Sequence, residues 1–367
     1  MIDKDRDLEI LSTFMKYNSV YKHNLTMLKF DENNWILRRK VYKSKLTFDY
    51  FIHGIESGNR KILAEAITLI ESENEKDRDL ANDIIDTCLP KSGKSIRIGV
   101  TGVPGVGKST FIETVGLQFL EKGKKVAVLS IDPSSITTKG SILGDKTRME
   151  LLSKSENAFI RPSSAGKQLG GIAKHTKEAM LLCEAAGFDV IIIETVGVGQ
   201  SETMVYNMVD FFLLLMLAGA GDELQGIKRG IMEVSDAIVI TKSDGQNIQL
   251  AKKAVNAYKT ALHYFPQKNL NWVPKVLDYS FINKKSVEKV VQLICDYFSN
   301  SEFIIHKRKE QEKEWMYEHF KNLVLEDLTK MDKNIIENVL SDLNNNKTNA
   351  FKAAQILFTL FKKNEKN

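Results

Sequence analysis

An α/β fold with a mainly parallel, doubly wound central sheet and helical extensions at both ends is predicted by this 367-residue sequence. Three observations carry the prediction. Between residues 94 and 300 short apolar runs alternate with amphipathic stretches, the pattern of strands connected by crossover helices. Several of those runs are unbroken Val, Ile and Leu, as strands covered on both faces require. Before and after this region the apolar residues recur at helical spacing with no strand pattern at all. The expected organisation is a helical extension over 1–93, an α/β domain over 94–300 and a helical arm over 301–367.

Residues 1–55 are polar and aromatic with weak periodicity, and no chemistry can be placed on them. From Gly58 onward Ile62, Leu63, Ala66, Ile67 and Ile70 share one helix face. A second helix over 77–89 gives way to a linker at 90–93, where Pro90 and Gly93 stop it. Strands are expected at 96–101, 126–131, 158–161, 190–194, 211–217, 237–241 and 273–277. Helices are expected at 108–122, 169–187 and 248–263, then at 307–328, 334–343 and 348–362 in the arm.

The connection after the first strand is the most informative stretch. Gly102 to Ser109 fits G-x-x-x-x-G-K-S without mismatch. Gly102, Gly105 and Gly107 free the backbone to turn its N–H groups, with those of Val106 and Thr110, toward phosphate oxygens. Lys108 supplies a charge to the β- and γ-phosphates, and Ser109 a hydroxyl to Mg²⁺. The helix that follows directs its positive end at the same anion. A glycine-rich turn without ligand would not require the Lys-Ser pair or the apolar face of Phe111, Ile112, Val115 and Phe119. A nucleoside triphosphate site is therefore expected.

Such a site needs carboxylates for the metal and a group that contacts the γ-phosphate. Asp132 follows an apolar strand, Asp145 follows the Gly, Ser and Thr-rich stretch 134–141, and Glu194 ends the strand 190–194. Each alone is more often a helix cap or surface charge; together they make a Mg²⁺ site. Gly197, three residues after Glu194, is placed to touch the γ-phosphate through its N–H. Val198 occupies the position where many signalling GTPases carry the glutamine that orients water, with Gln200 nearby. Slow hydrolysis by the isolated chain, accelerated when a partner orders the loops, is the expectation.

Base choice is read at 238–244, where an apolar strand ends in Thr241, Lys242, Ser243 and Asp244. The Asp244 carboxylate can accept from guanine N1–H and N2–H₂, and adenine would leave it unpaired. The Lys242 stem can lie along the base plane. Thr241 stands where asparagine is more frequent, at the expense of one hydrogen bond. The predicted ligand is GTP or GDP, with Mg²⁺ as cofactor.

The totals exclude several classes. A net charge of +5 with Lys and Glu interspersed gives no nucleic-acid surface. The longest apolar run, Phe211 to Ala218, is far short of the ~20 residues of a membrane helix. Cys88, Cys183 and Cys295 form no C-x-x-C, which reads as free thiols in a reducing cytoplasm. Six histidines, none at metal-ligand spacing, argue against a zinc or nickel centre. The charged N-terminus lacks the form of a secretory signal.

Longer stretches carry a resemblance. Gly58 to Ser72, the phosphate loop, Ser130 to Ser135, Gly140 to Met149, Glu194 to Glu202 and Gly219 to Gly230 resemble the GTPase chaperones of adenosylcobalamin-dependent acyl-CoA mutases. These are the methylmalonyl-CoA mutase-associated proteins once described as arginine/ornithine transport kinases. Weaker agreement reaches Arg308, Gln311 and Trp315. The resemblance implies a P-loop GTPase, a homodimer held by the C-terminal arm, and coupling of GTP hydrolysis to loading or protection of the mutase cofactor. It implies magnesium roles for Asp132, Asp145 and Glu194. It also implies a further switch over Gly219–Gly230, in which Asp222, Gln225 and Lys228 communicate with the mutase. The chain departs from the family pattern at Thr241, at Ser280-Phe281 where Ser-Ala usually backs the guanine, and at Lys167 and Gln168. The alternative reading is a P-loop kinase that passes the γ-phosphate to an acceptor; Asp244 and the absence of an evident acceptor-activating base weigh against it.

Overall fold

A computed structural model describes residues 46–72, 74–131, 148–162, 169–195, 201–218, 229–265, 272–299, 301–329 and 331–364. The chain divides into two units, Met1–Tyr50 and Phe51–Asn367. In chain order the helices α1 (Phe48–Glu56), α2 (Arg60–Ile70) and α3 (Glu75–Cys88) precede the first strand. Then follow β1 (Ile96–Gly102), α4 (Lys108–Glu121), β2 (Val126–Ile131), α5 (Glu150–Lys154), β3 (Ala158–Pro162) and α6 (Leu169–Ala185). The second half of the sheet region is β4 (Val190–Thr195), α7 (Ser201–Tyr206), β5 (Phe211–Leu217), α8 (Arg229–Val234), β6 (Ala237–Thr241), α9 (Ile248–Leu262), β7 (Lys275–Asp278) and α10 (Lys284–Phe298). The arm is α11 (Ser301–Thr329), α12 (Lys333–Asn344) and α13 (Ala350–Asn364).

Seven strands form one sheet in the order β3-β2-β4-β1-β5-β6-β7, every described pairing parallel. From β1 the chain steps outward to β2 and β3, returns to β4, then runs through β5, β6 and β7 on the other side. That reversal makes the sheet doubly wound and puts its switch point at β1. Right-handed crossovers then place helices on opposite faces. Each residue of β2, β4 and β6 is buried, which explains why they are apolar up to their carboxyl ends, where Ser130, Glu194, Thr195 and Thr241 stand. All seven strands lie within two residues of the positions expected from sequence.

The helices before the sheet are built into its edge. Asn59 caps α2 by accepting from the N–H groups of Lys61 and Ile62. Arg60 donates to the carbonyls of Ser155 and Ala158 at 2.7 and 2.9 Å. Arg161 of β3 pairs with Glu71 at 2.6 Å, so charged contacts fasten α2 over the outer strand. The expected linker is partly ordered: Leu89–Lys91 continues α3 as one 3₁₀ turn. Of the stretch 1–55, residues 48–56 are helical.

The first helix of the arm starts six residues before the expected 307, because the first turns of α11 dock on the sheet. Ile304 is buried, and Arg308, Gln311 and Trp315 follow it on the same face. Arg308 donates through Nε and Nη2 to the two oxygens of Asp210, at 2.8 and 2.5 Å. Gln311 donates to the carbonyl of Val209 and the Trp315 indole to that of Asn207, at 2.8 and 2.9 Å. Arg308, Gln311 and Trp315 thus hold α11 against the segment leading into β5. Beyond this anchor the arm exposes Met316, Phe320, Phe351 and Phe358.

Candidate nucleotide site

The site is assembled at the carboxyl ends of β1, β4 and β6. Gly102 ends β1 so close to β5 that a Cβ there would lie 2.6 Å from the carbonyl oxygen of Leu215. Only glycine permits that approach. Gly107, at φ 94°, caps α4 in a left-handed conformation that L side chains rarely adopt. Between them the N–H of Val106 closes the loop on the carbonyl of Val103 at 3.3 Å. Lys108 then folds back over the loop and donates Nζ to the carbonyls of Gly102 and Val103, at 2.9 and 3.3 Å. Burial pulls its pKa below the usual lysine range, and the nearby Glu194 carboxylate offsets this only in part. A desolvated ammonium at the mouth of a glycine-rich loop that leads into a helix N-terminus is built to receive phosphate oxygens.

Glu194 is buried near the end of β4, in register with Val100 of β1 and Ser130 of β2. One residue on, the Thr195 hydroxyl donates to that of Thr101 at 2.9 Å and ties the ends of β4 and β1 together. Ser109 is half-buried in the first turn of α4. A serine hydroxyl and a carboxylate are hard oxygen donors of the kind Mg²⁺ takes, so the described residues fit the ion. Asp132, Asp145 and Gly197 lie outside the described residues, as do Val198, Gln200, Asp222, Gln225 and Lys228. The structure therefore brings Lys108 near Glu194, with Ser109 next to Lys108 in the chain, and does not describe the other expected metal and γ-phosphate contacts. Among the described residues there is no group of three or more His, Cys, Asp or Glu side chains arranged to hold a metal.

The base-reading end is tied to the phosphate loop by contacts that sequence could not reveal. Thr241, buried at the end of β6, donates its hydroxyl to the carbonyl of Val106 at 2.7 Å, with the Met216 carbonyl at 3.2 Å. Lys242 follows in the left-handed region at φ 54°. That conformation costs about 1–2 kcal/mol for a non-glycine residue, and strain of this kind gathers at functional sites. Asp244 is oriented by Ser280, whose Oγ donates to its Oδ2 at 2.5 Å. Ser280 is buried and its N–H donates to the Ser286 hydroxyl at 3.1 Å. Tyr279 packs edge-on against Phe111 of α4, centroids 4.9 Å apart, and its hydroxyl bonds that of Thr114. Burial pushes the Tyr279 phenol up to about 12. Phe281, beside Ser280, is 54% exposed.

Sheet order, switch point and loop are those of a P-loop GTPase. A model of the family described as "Methylmalonyl Co-A mutase-associated GTPase MeaB" matches residues 63–333. The chain is 46% identical to the GTPase ArgK of Escherichia coli over 280 residues, 76% of this chain and 85% of that protein. It is 41% identical over 322 residues to the mitochondrial methylmalonic aciduria type A homolog of Mus musculus, covering 82% and 78%. A crystal structure described as a LAO/AO transport system kinase superposes with a TM-score of 0.68 at 36% identity, over 86% of this chain and 98% of that one. The chain belongs to the methylmalonyl-CoA mutase-associated GTPase family.

Proposed function

We propose that this GTPase is a chaperone of an adenosylcobalamin-dependent acyl-CoA mutase, with GTP binding and hydrolysis driving cofactor loading or protection. One observation carries the nucleotide part of the reading. The hydroxyl of Thr241, three residues before the base-reading Asp244, is bonded to the phosphate loop itself, so phosphate and base determinants share one frame. The family's description, which names the mutase, supports the partner.

In this reading Gly102, Gly105, Val106, Gly107 and Thr110 present the loop backbone to the phosphates. Lys108 neutralises charge that grows on the β–γ bridge and γ-oxygens as the bond breaks. Ser109 and Glu194 would hold Mg²⁺, with Asp132 and Asp145 as further acids; when bound, the ion would supply positive charge to the phosphate oxygens. Gly197 contacts the γ-phosphate. Asp244 accepts from guanine while Lys242 lies along the ring. Asp222, Gln225 and Lys228 couple this state to the mutase. Domain limits of 1–93, 94–300 and 301–367 and a cytoplasmic location complete the proposal. No described helix is long and apolar enough to cross a membrane. The exposed Met316, Phe320, Phe351 and Phe358 of the arm support a homodimer.

Light scattering of the full chain, alone and with candidate mutases, tests the proposal. The chain alone should have twice its monomer mass. Its affinity for the mutase should differ between GDP and a non-hydrolysable GTP analogue by about 5- to 150-fold, the range of a 1–3 kcal/mol coupling. Equal affinity in both nucleotides, or no complex with any mutase of this class, would sink the chaperone reading. The isolated chain should hydrolyse GTP slowly and faster once the mutase is added. A rapid single turnover without partner would contradict that. Label passed from [γ-³²P]GTP to an acceptor rather than to water would favour the kinase alternative.

A further inference from the structure

We infer that Thr241, at the end of β6, offers guanine N7 no hydrogen bond, because it has committed its only proton to the phosphate loop. The inference rests on the guanine-nucleotide reading above and concerns how the base is recognised.

Thr241 ends β6, where its hydroxyl lies 2.7 Å from the carbonyl oxygen of Val106 and 3.2 Å from that of Met216. Both neighbours are acceptors, so the single hydroxyl proton is used between them. The residue is buried, and the donation satisfies loop and strand carbonyls that would otherwise lose a partner. A purine whose N1 and N2 reach Asp244, with its phosphates in the Gly102–Ser109 loop, would turn its N7 edge toward the end of β6. N7 is an acceptor only. Facing Thr241 it meets oxygen lone pairs and no remaining proton. An asparagine amide at the same position has two N–H protons and could hold the loop carbonyl with one and N7 with the other.

Recognition then rests on the opposite edge of the base. Asp244 is fixed by the Ser280 hydroxyl at 2.5 Å, and Ser280 is in turn held by Ser286. The loop carrying Ser280 is anchored to α4 by the Tyr279–Thr114 hydroxyl pair and the Tyr279–Phe111 ring contact. Guanine is still separated from adenine, since N1–H and N2–H₂ are the groups Asp244 needs. Position 241 is thus a specificity determinant: it decides which edges of the purine are read.

The test compares GDP with 7-deaza-GDP, in which N7 is replaced by C–H, by calorimetric titration of the full chain. The expected ratio of dissociation constants is within about twofold of one, since no hydrogen bond is lost. Replacement Thr241→Asn should open that ratio to about fivefold or more by tightening GDP alone, the value of one neutral hydrogen bond. A wild-type ratio of about fivefold or more overturns the inference, and so does a folded Thr241→Asn protein whose ratio stays at one. The wild-type measurement decides even if the variant does not fold. Failure of GDP itself to bind would instead overturn the guanine-nucleotide reading, so the two failures are distinguishable.

Discussion

Replacing Lys108 by alanine is expected to lower GTP turnover by about 10²–10³-fold, the loss seen when one preorganised donor to a developing anion is removed. Affinity for GDP should fall by roughly ten- to a hundredfold, as for a charge-assisted hydrogen bond worth about 1.5–3 kcal/mol. The physical cause is already present in the structure. Burial holds the Lys108 ammonium below its usual pKa, and Glu194 compensates it only partly. Its Nζ is bound to two neutral carbonyls, which satisfy geometry but do not neutralise charge. Phosphate oxygens supply what is missing. Because an under-compensated charge gives the protein little stability, the thermal midpoint of Lys108→Ala without nucleotide should stay close to wild type. The rise in midpoint on adding GDP should shrink in step with the lost affinity. A variant that binds GDP within a factor of two of wild type would remove Lys108 from the site.

Arg308→Ala should destabilise the protein by about 3–5 kcal/mol, the range for stripping one partner from a buried ion pair. Its partner Asp210 has no exposed side-chain surface. Besides Arg308, that carboxylate accepts only the Arg97 N–H among the hydrogen bonds described, at 3.0 Å. The same guanidinium also reaches the carbonyls of Gly93 and Ser95, so four acceptor oxygens lose a donor at once. Urea melts of the wild type and variant measure the difference. The double replacement Arg308→Met with Asp210→Leu should recover much of it, because no unpaired charge remains. A loss below about 1 kcal/mol for the single variant would mean that water reaches Asp210 and that the pair behaves as a surface one.

The strands were legible because their burial on both faces leaves no room for polar residues, as in Phe211–Leu217. The phosphate loop was legible because a close approach to β5 at Gly102 and a left-handed backbone at Gly107 both call for glycine. Pairings between distant residues were not. Arg97 and Glu184 form a buried bidentate pair at 2.8 and 2.9 Å, yet stand 87 positions apart. Arg308 and Asp210 are separated by 98. Neither has a local pattern, since only the fold brings them together. Thr241 shows a middle case. Its residue type was visible and readable as a lost hydrogen bond to the ligand. That its hydroxyl instead serves Val106 depends on how β6 stands against the loop. The start of α11 was misplaced for a related reason: Ile304 and Arg308 face the sheet, and a docking face that mixes apolar and charged side chains has no periodic signature.

The bond between the Tyr279 and Thr114 hydroxyls sets a limit on how the protein tells spent nucleotide from fresh. Thr114 lies on the helix that starts at the phosphates, and Tyr279 on the turn that orients the base contact, so the two ends form a calliper of fixed span. On the guanine-nucleotide reading, such an instrument would grip guanosine diphosphate and triphosphate alike. News of hydrolysis would then leave by the segments that follow β2, β4 and β5, and substitutions around the base should alter how long a nucleotide stays more than what a partner is told.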